Sequence, residues 1–395
     1  MKRIILAICA AAICIASVSA GGKKDVPAAA QPNTVTVSEW AKANKMLDGS
    51  ETGAQLYEQA KKEGKVVVYS VSSRISAVKK SFEAAYPGIT VEAADLHPNE
   101  LIEKISREYE AGVRNADLLL LKDESGSIYQ EFVLPGIFIN YYPSDIVAHI
   151  DPKFRRFAMP MNIEILQWFY NKETNSAPPI TSWWDLTKPE WKGRIAMLNP
   201  LDNIGYLAIL TTIVQHADEM AADYEKVFGK KIQLSPDCPN AGYEYIKRLK
   251  ANDIIFFGSN DEVCEAAGAP GQKPPTPVGY AASSKLRKNE TDGWVLAPAN
   301  VKPANSLTNT NNLYIVNEAQ HPAAAKLLLR FMLGEADGKA AGYTPFNVLG
   351  AWPVRDDILP VKGSQVLSEI YLWEADPLFL YENIPEVQDF WTALQ

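Results

Sequence analysis

The sequence predicts an α/β protein made of two doubly wound α/β lobes, and three observations carry that prediction. Apolar runs of strand length alternate with segments of helical period from Val66 to Lys122, and a second series of the same kind begins after "NIEILQWFYNKE", residues 162–172. The length, 395 residues, exceeds one ordinary core and suits two domains. The composition, 47% hydrophobic and 22% charged, is that of a globular chain without repeats. Formal net charge is −8 with Lys and Arg scattered, so neither nucleic acid nor an anionic membrane surface is expected as the main partner.

The first element is an export signal. Lys2 and Arg3 precede an apolar run from Ile4 to Ser17, and Val18-Ser19-Ala20 offers the small residues a signal peptidase reads. Residues 1–20 are therefore expected to be removed and the chain to work in the periplasm. Cys9 or Cys14 would instead supply a lipid anchor, but Ala11-Ala12-Ile13 fits a lipobox poorly, so cleavage after Ala20 ranks first. Residues 21–45, rich in Gly, Lys, Ala, Pro and Thr, read as a flexible leader.

Residues 46–162 read as the first part of lobe 1. A helix carries Leu56, Tyr57 and Ala60 on one face and stops at Gly64. Val66–Tyr69 follows as a strand, then a helix with Ile75, Val78, Phe82 and Ala85 at steps of 3, 4 and 3, ended by Pro87-Gly88. A strand at Ile89–Ala93, a helix with Leu101, Ile102, Ile105 and Tyr109 inward, and the strand "ADLLLLK" complete it. Residues 163–305 read as lobe 2: the strand "GRIAML", the loop "NPLDN", a helix with Ile204, Leu207, Leu210, Thr211 and Val214 on one stripe, and the strands in "DIIFFGSN" and "PTPVGYAASS". Residues 306–395 then give a strand, an amphipathic helix and a tail whose Trp373, Phe379, Tyr381 and Trp391 suit packing against a core. Trp183, Trp184 and Trp191 read as a packed lid over the second core.

Right-handed crossovers gather the loops after parallel strands at one edge, where ligands of open α/β sheets bind. Two polar loops hold that position. Ser70, Ser72, Ser73 and Arg74 follow the first strand, and Asn199, Asp202 and Asn203 follow "GRIAML". Both run into helix N-termini, whose free N–H groups favour an anion or a strong acceptor, and Arg74 adds a fork for carboxylate or phosphate. Taken singly, Ser72, Ser73, Asp202 and Asn203 read as helix caps and Arg74 as a solvated cation. Their coincidence in two lobes favours a clamp on a small polar molecule.

Other chemistry is sparse. His97, His149, His216 and His321 show no metal spacing, and no P-loop, G-x-G-x-x-G or G-x-S-x-G motif occurs. Ser76 to Lys79 matches S-x-x-K without its partner motifs. No cofactor, resident metal or catalytic residue is expected. In an oxidising compartment Cys238 and Cys264 read as a disulfide, with two buried thiols as the other possibility.

"LYEQAKKEGKVVVYS", "TSWWDLTKPEWKGRIAMLNP" and "NEAQHPAAAKLLLRFMLG" together resemble the exported solute-binding proteins of ABC importers, in the cluster that includes ferric-ion, thiamine, phosphonate and sugar-phosphate binders. The resemblance runs from about residue 52 to the C-terminus. It implies a monomeric receptor of the type II periplasmic class, with a two-strand hinge, that hands a small molecule to a membrane permease and its ATPase. It also implies that the chain crosses between lobes near Met161–Phe169 and Ser306–Val316. Ligand contacts would come from Ser70 to Arg74, the loop Asp123 to Ser125, Asn199 to Tyr206, Tyr280 with Ser283 and Ser284, and Asn309 and Asn311. Ferric members carry adjacent tyrosines where Tyr280 is followed here by Ala281-Ala282, so an oxygen-rich anion such as a phosphorylated or carboxylated metabolite is the first expectation. The alternative, a ferric site, would use Tyr206, Tyr280 and Tyr343. Tyr141 and Tyr142 match a structural aromatic position. A secreted enzyme, a surface antigen or a sensor on the same fold are the rivals from other classes.

Overall fold

Three consecutive valines leave Lys65–Ser70 (β1) little choice but an extended backbone, since branching at Cβ crowds the helical alternative. Gly64 makes the entry possible: at φ 75° it closes the helix Gly53–Glu63 in the left-handed region and turns the chain into the strand. The computed structural model describes residues 35–394, so the export signal, its cysteines and residues 21–34 of the leader lie outside the described residues. The sequence predicts a flexible leader to residue 45, whereas Glu39–Ala43 is helical. Ser38 Oγ accepts the N–H of Ala41 and donates to Asn317 Oδ1 at 2.6 Å, while Ala41 and Met46 are buried. Capping and burial together anchor this segment.

The first sheet has seven strands: β1, Thr90–Asp95 (β2), Leu118–Leu121 (β3), Phe138–Ile139 (β4), Met159–Ile163 (β5), and, further along the chain, Thr310–Val316 and Trp352–Pro353. β1 runs parallel to β2 and β3, as strand–helix–strand units require. All four leucines of β3 are buried, which marks it as a central strand covered on both faces.

A second sheet of five strands contains Leu166–Asn171 (β6), Ile195–Leu198 (β7), Ile255–Phe257 (β8), Val278–Ala282 (β9) and Leu296–Ala299 (β10), ordered β10-β6-β9-β7-β8. Ser306–Leu307 (β11), Thr310–Val316 (β12), Trp352–Pro353 (β13) and Leu372–Trp373 (β14) complete the count. The sheets are mixed rather than purely parallel. β12 is antiparallel to β3, β4 and β5, and β6 is antiparallel to β9 and β10. The antiparallel members are those at which the chain passes from one sheet to the other, so their direction is set by the passage and not by a crossover helix.

That passage is short. β5 ends at Ile163 and β6 begins at Leu166, and the return runs from Leu307 in β11 to Thr310 in β12. The two connections lie side by side, with Glu164 N donating to Asn309 O at 3.2 Å. A third link comes from the tail. β14 pairs with β11, and the helix Pro377–Ala393 places Leu380, Ile384, Val387 and Trp391 in the core of the second sheet. The return strand β12 pairs within the first sheet, whereas the apolar stripe of the C-terminal helix packs in the core of the second.

Trp183 and Trp184 are core residues, with their indole N–H groups donating to Ala304 O and Met220 O. The disulfide expectation is also corrected: Cys238 and Cys264 are both free and buried. Cys264 lies in the helix Asn260–Gly268 against the second sheet, and Cys238 precedes the helix Ala241–Lys250. Burial pushes both thiols up to about 12, so neither is poised to ionise.

Candidate functional site

Glu164 occupies the first connection between the sheets, a carboxylate within an otherwise apolar run. Its backbone oxygen accepts from Lys122 Nζ at 3.1 Å, at the end of β3. Its side chain accepts from Ser284 Oγ and, at 3.4 Å, from Asn311 Nδ2 of β12. Ser284 Oγ in turn accepts from two guanidinium groups: Arg287 Nη1 at 3.0 Å and Arg74 Nη2 at 3.4 Å. A hydroxyl has one proton and two lone pairs, and all three are used here. Arg287 Nη1 also reaches Ser284 O at 2.6 Å.

The electrostatics follow from this convergence. Burial alone would raise the pKa of Glu164, but the charges of Lys122 and Arg74 and the hydrogen bonds from Ser284 and Asn311 hold it below the ordinary carboxylate value. Burial and the neighbouring Arg74 cation push Arg287 below the ordinary guanidinium value. Three cations thus share one internal carboxylate, which leaves a local cationic surplus around Ser284. Arg74 comes from the loop after β1, and Arg287 and Ser284 from the turn after β9.

The other sequence-derived residues divide into those near this cluster and those committed to the scaffold. Ser70 Oγ is buried and bonded to both N and O of Ser72 at 3.0 Å, so it shapes the loop that presents Arg74. Neither Ser72 nor Ser73 caps the following helix; the N-cap position is Arg74 itself, and no side chain bonds the first turn. Asp123 accepts N–H groups from Ile128 and Tyr129 at 3.2 and 2.9 Å. Burial raises its pKa to about 6 despite those bonds. Ser125 bonds Ser127 within the same turn. Asn199 closes a local turn to Leu201 N, Asp202 is exposed, and Asn203 caps the helix Ile204–Gln215 through Gly205 N at 3.1 Å.

Ser283 is buried and ties three segments together: its Oγ accepts from Ile165 N at 3.1 Å and donates to Gly350 O at 2.5 Å. Asn311 bonds Asn162 and Glu164, and Asn309 Nδ2 donates to Glu124 Oε1 at 3.4 Å. The three phenols of the ferric alternative sit in two different cores. Tyr206 donates to Tyr280 O at 2.6 Å, Tyr280 reaches Ser306 Oγ at 3.4 Å, and Tyr343 packs in the first core. Burial raises all three above the ordinary tyrosine value, which disfavours phenolate.

Sequence reasoning missed Lys122, Glu164 and Arg287, whereas Glu124 lies in the loop Asp123 to Ser125 that the resemblance marked. Glu164 carried a readable signal, being the single charge in "MNIEILQWFY"; Arg287, within "SSKLRK", looks like one cation of a solvated turn.

Residues 64–341 match the model of the bacterial extracellular solute-binding protein family. No curated protein sequence matches the chain. Among solved structures it resembles iron-bound HitA from Pseudomonas aeruginosa, with TM-score 0.60, 15% identity, and coverage of 84% of this chain and 99% of that one. It also resembles AfuA from Actinobacillus pleuropneumoniae with exogenous fructose-6-phosphate bound (0.62, 18%, 84% and 98%). Apo ferric ion-binding protein A of Pasteurella haemolytica gives 0.62, 17%, 84% and 98%. The matched span covers well over half of the chain, including the strand, loop and helix that present Arg74, the turn that presents Arg287 and both connections between the sheets, and on that footing the chain belongs to the bacterial extracellular solute-binding protein family.

Proposed function

We propose that this chain is the solute-binding component of an ABC importer, exported by the signal at residues 1–20, and that it captures a small oxygen-rich anion such as a phosphorylated or carboxylated metabolite. The carrying observation is the convergence of Arg74, Lys122 and Arg287, from both lobes, on Ser284 and Glu164. A solute anion supplies the counter-charge that the cleft lacks. Because its acceptors bridge groups on both lobes, it binds the closed arrangement more tightly than the open one and shifts the population toward closure. A permease and its ATPase then take the solute from the closed form. The role is binding and delivery by a monomer, with no cofactor and no turnover.

The test is thermal unfolding of the mature protein with sugar phosphates, phosphonates, dicarboxylates, polyamines, thiamine and ferric citrate. A ligand at ~100 times its Kd adds about 2.7 kcal/mol, a shift of several degrees. A response to one anionic class is the expected result. A response to ferric citrate alone would move the reading to the ferric alternative, and to polyamines alone would overturn the anionic cleft.

A further inference from the structure

Beyond the cations, the cleft is closed by a contact of opposite sign. Glu124, on the loop after β3, reaches the first turn of the helix Ile204–Gln215 in the other lobe. Its Oε1 lies 2.9 Å and its carboxyl carbon 3.2 Å from the point where a Cβ on Gly205 would stand. A side chain at this position would push the Glu124 carboxylate aside. The carboxylate has Asn309 Nδ2 as a hydrogen-bond partner, at 3.4 Å, and no salt bridge to Glu124 occurs among the described residues. Asn203 Oδ1, next to it, is itself an acceptor turned to Gly205 N. The end of the cleft at Glu124 is therefore acceptor-rich and negative, while the end at Ser284 is cationic.

We propose that Glu124 determines which anions the cleft takes. It admits a solute with one anionic head and hydrogen-bond donors, hydroxyl or ammonium, at the far end, and it turns away a solute with a second anionic group. This rests on the anionic reading above and adds a discriminating residue to it. Glu124 follows Lys122 by two positions on the same loop, so a solute whose head is held by Arg74, Lys122 and Arg287 would present its other end to the Glu124 carboxylate and the Asn203 oxygen. A donor there gains a charge-assisted hydrogen bond. A carboxylate or phosphate there faces a like charge with no cation beside it. The helix N-terminus adds no anion seat, because Glu124 already stands against its first turn.

Isothermal titration of glycerol 3-phosphate and 3-phosphoglycerate tests this. The two share a phosphate and a three-carbon chain and differ in a terminal hydroxymethyl against a carboxylate. Wild-type protein is expected to prefer glycerol 3-phosphate by tenfold or more. Glu124→Gln, verified as folded by its circular dichroism, is expected to narrow that preference several-fold, chiefly by tighter binding of 3-phosphoglycerate. Equal binding of both by wild-type protein, or the same preference in both proteins, overturns the role of Glu124 and leaves the anionic reading standing. Binding of neither probe by wild-type protein overturns this proposal, and when no other anion stabilises the protein either it overturns the anionic reading as well.

Discussion

Arg74 of one lobe and Arg287 of the other donate to the same oxygen, Ser284 Oγ, at 3.4 and 3.0 Å. Two like charges held on one acceptor repel, by roughly 1 to 4 kcal/mol across the range from water to a protein surface at about 4 Å. Glu164 offsets part of this, and a bound anion would offset the rest. Added negative charge at this point is therefore expected to stabilise the arrangement in which the two arginines meet.

The first prediction is mutational. Arg74→Ala and Arg287→Ala are each expected to weaken binding of an anionic solute by about 1.5 to 3 kcal/mol, the range for hydrogen bonds to charged groups. Because the two share Ser284, the double variant should lose less than the sum. Calorimetry of the four proteins measures the coupling, and full additivity would show that the arginines do not act on one ligand group.

Ser284→Ala removes a hydroxyl that serves Glu164 and both arginines. It leaves a half-buried carboxylate short of a partner, at a cost of about 1 to 3 kcal/mol in stability. Urea unfolding should show that loss, whereas Ser73→Ala, on an exposed loop position, should unfold within about 0.5 kcal/mol of wild type.

Asp123 predicts a pH dependence. Its folded pKa, about 6, lies above the usual value, so the folded state holds this proton more tightly than the unfolded chain does. Stability from this group is therefore present below about pH 4 and is lost as pH rises toward 6. Asp123→Asn should abolish that part of the slope in denaturant unfolding between pH 4 and 6; an unchanged slope would remove Asp123 as its source. The loop it caps carries Lys122 and Glu124, so the pH dependence of binding should change with it.

The free cysteines give a covalent test. Unfolded mature protein should react with two equivalents of a thiol reagent, from Cys238 and Cys264, and reductant should leave the unfolding temperature unchanged. A thiol count of zero before reduction would establish a disulfide.

Trp391→Ala should cost about 3 to 5 kcal/mol, because the indole is buried in the second core although it lies four residues from the chain end. A change below about 1 kcal/mol would show the tail to be a loose appendage.

Much of the fold was legible because its signals are local. Valines at 66–68 force a strand, Gly64 and Pro87-Gly88 stop helices, and apolar periods of two and near 3.6 name the core faces. The sequence also determined that a polar loop with Arg74 lies at the ligand edge of a parallel unit. What it could not carry was pairing between distant segments. Glu164 and Arg287 stand 123 positions apart, and Arg74 and Ser284 stand 210 apart; only the double passage of the chain between the sheets brings them within reach of one another. Several polar residues chosen from the sequence, Ser70, Asp123, Ser283 and Asn203 among them, hold backbone instead, because a buried N–H must be paired before a side chain can serve a ligand. The residue types were set by the sequence, and which of them remain free to bind was decided by the tertiary structure, since hydrogen-bond partners and charge neighbours are properties of the assembled cleft.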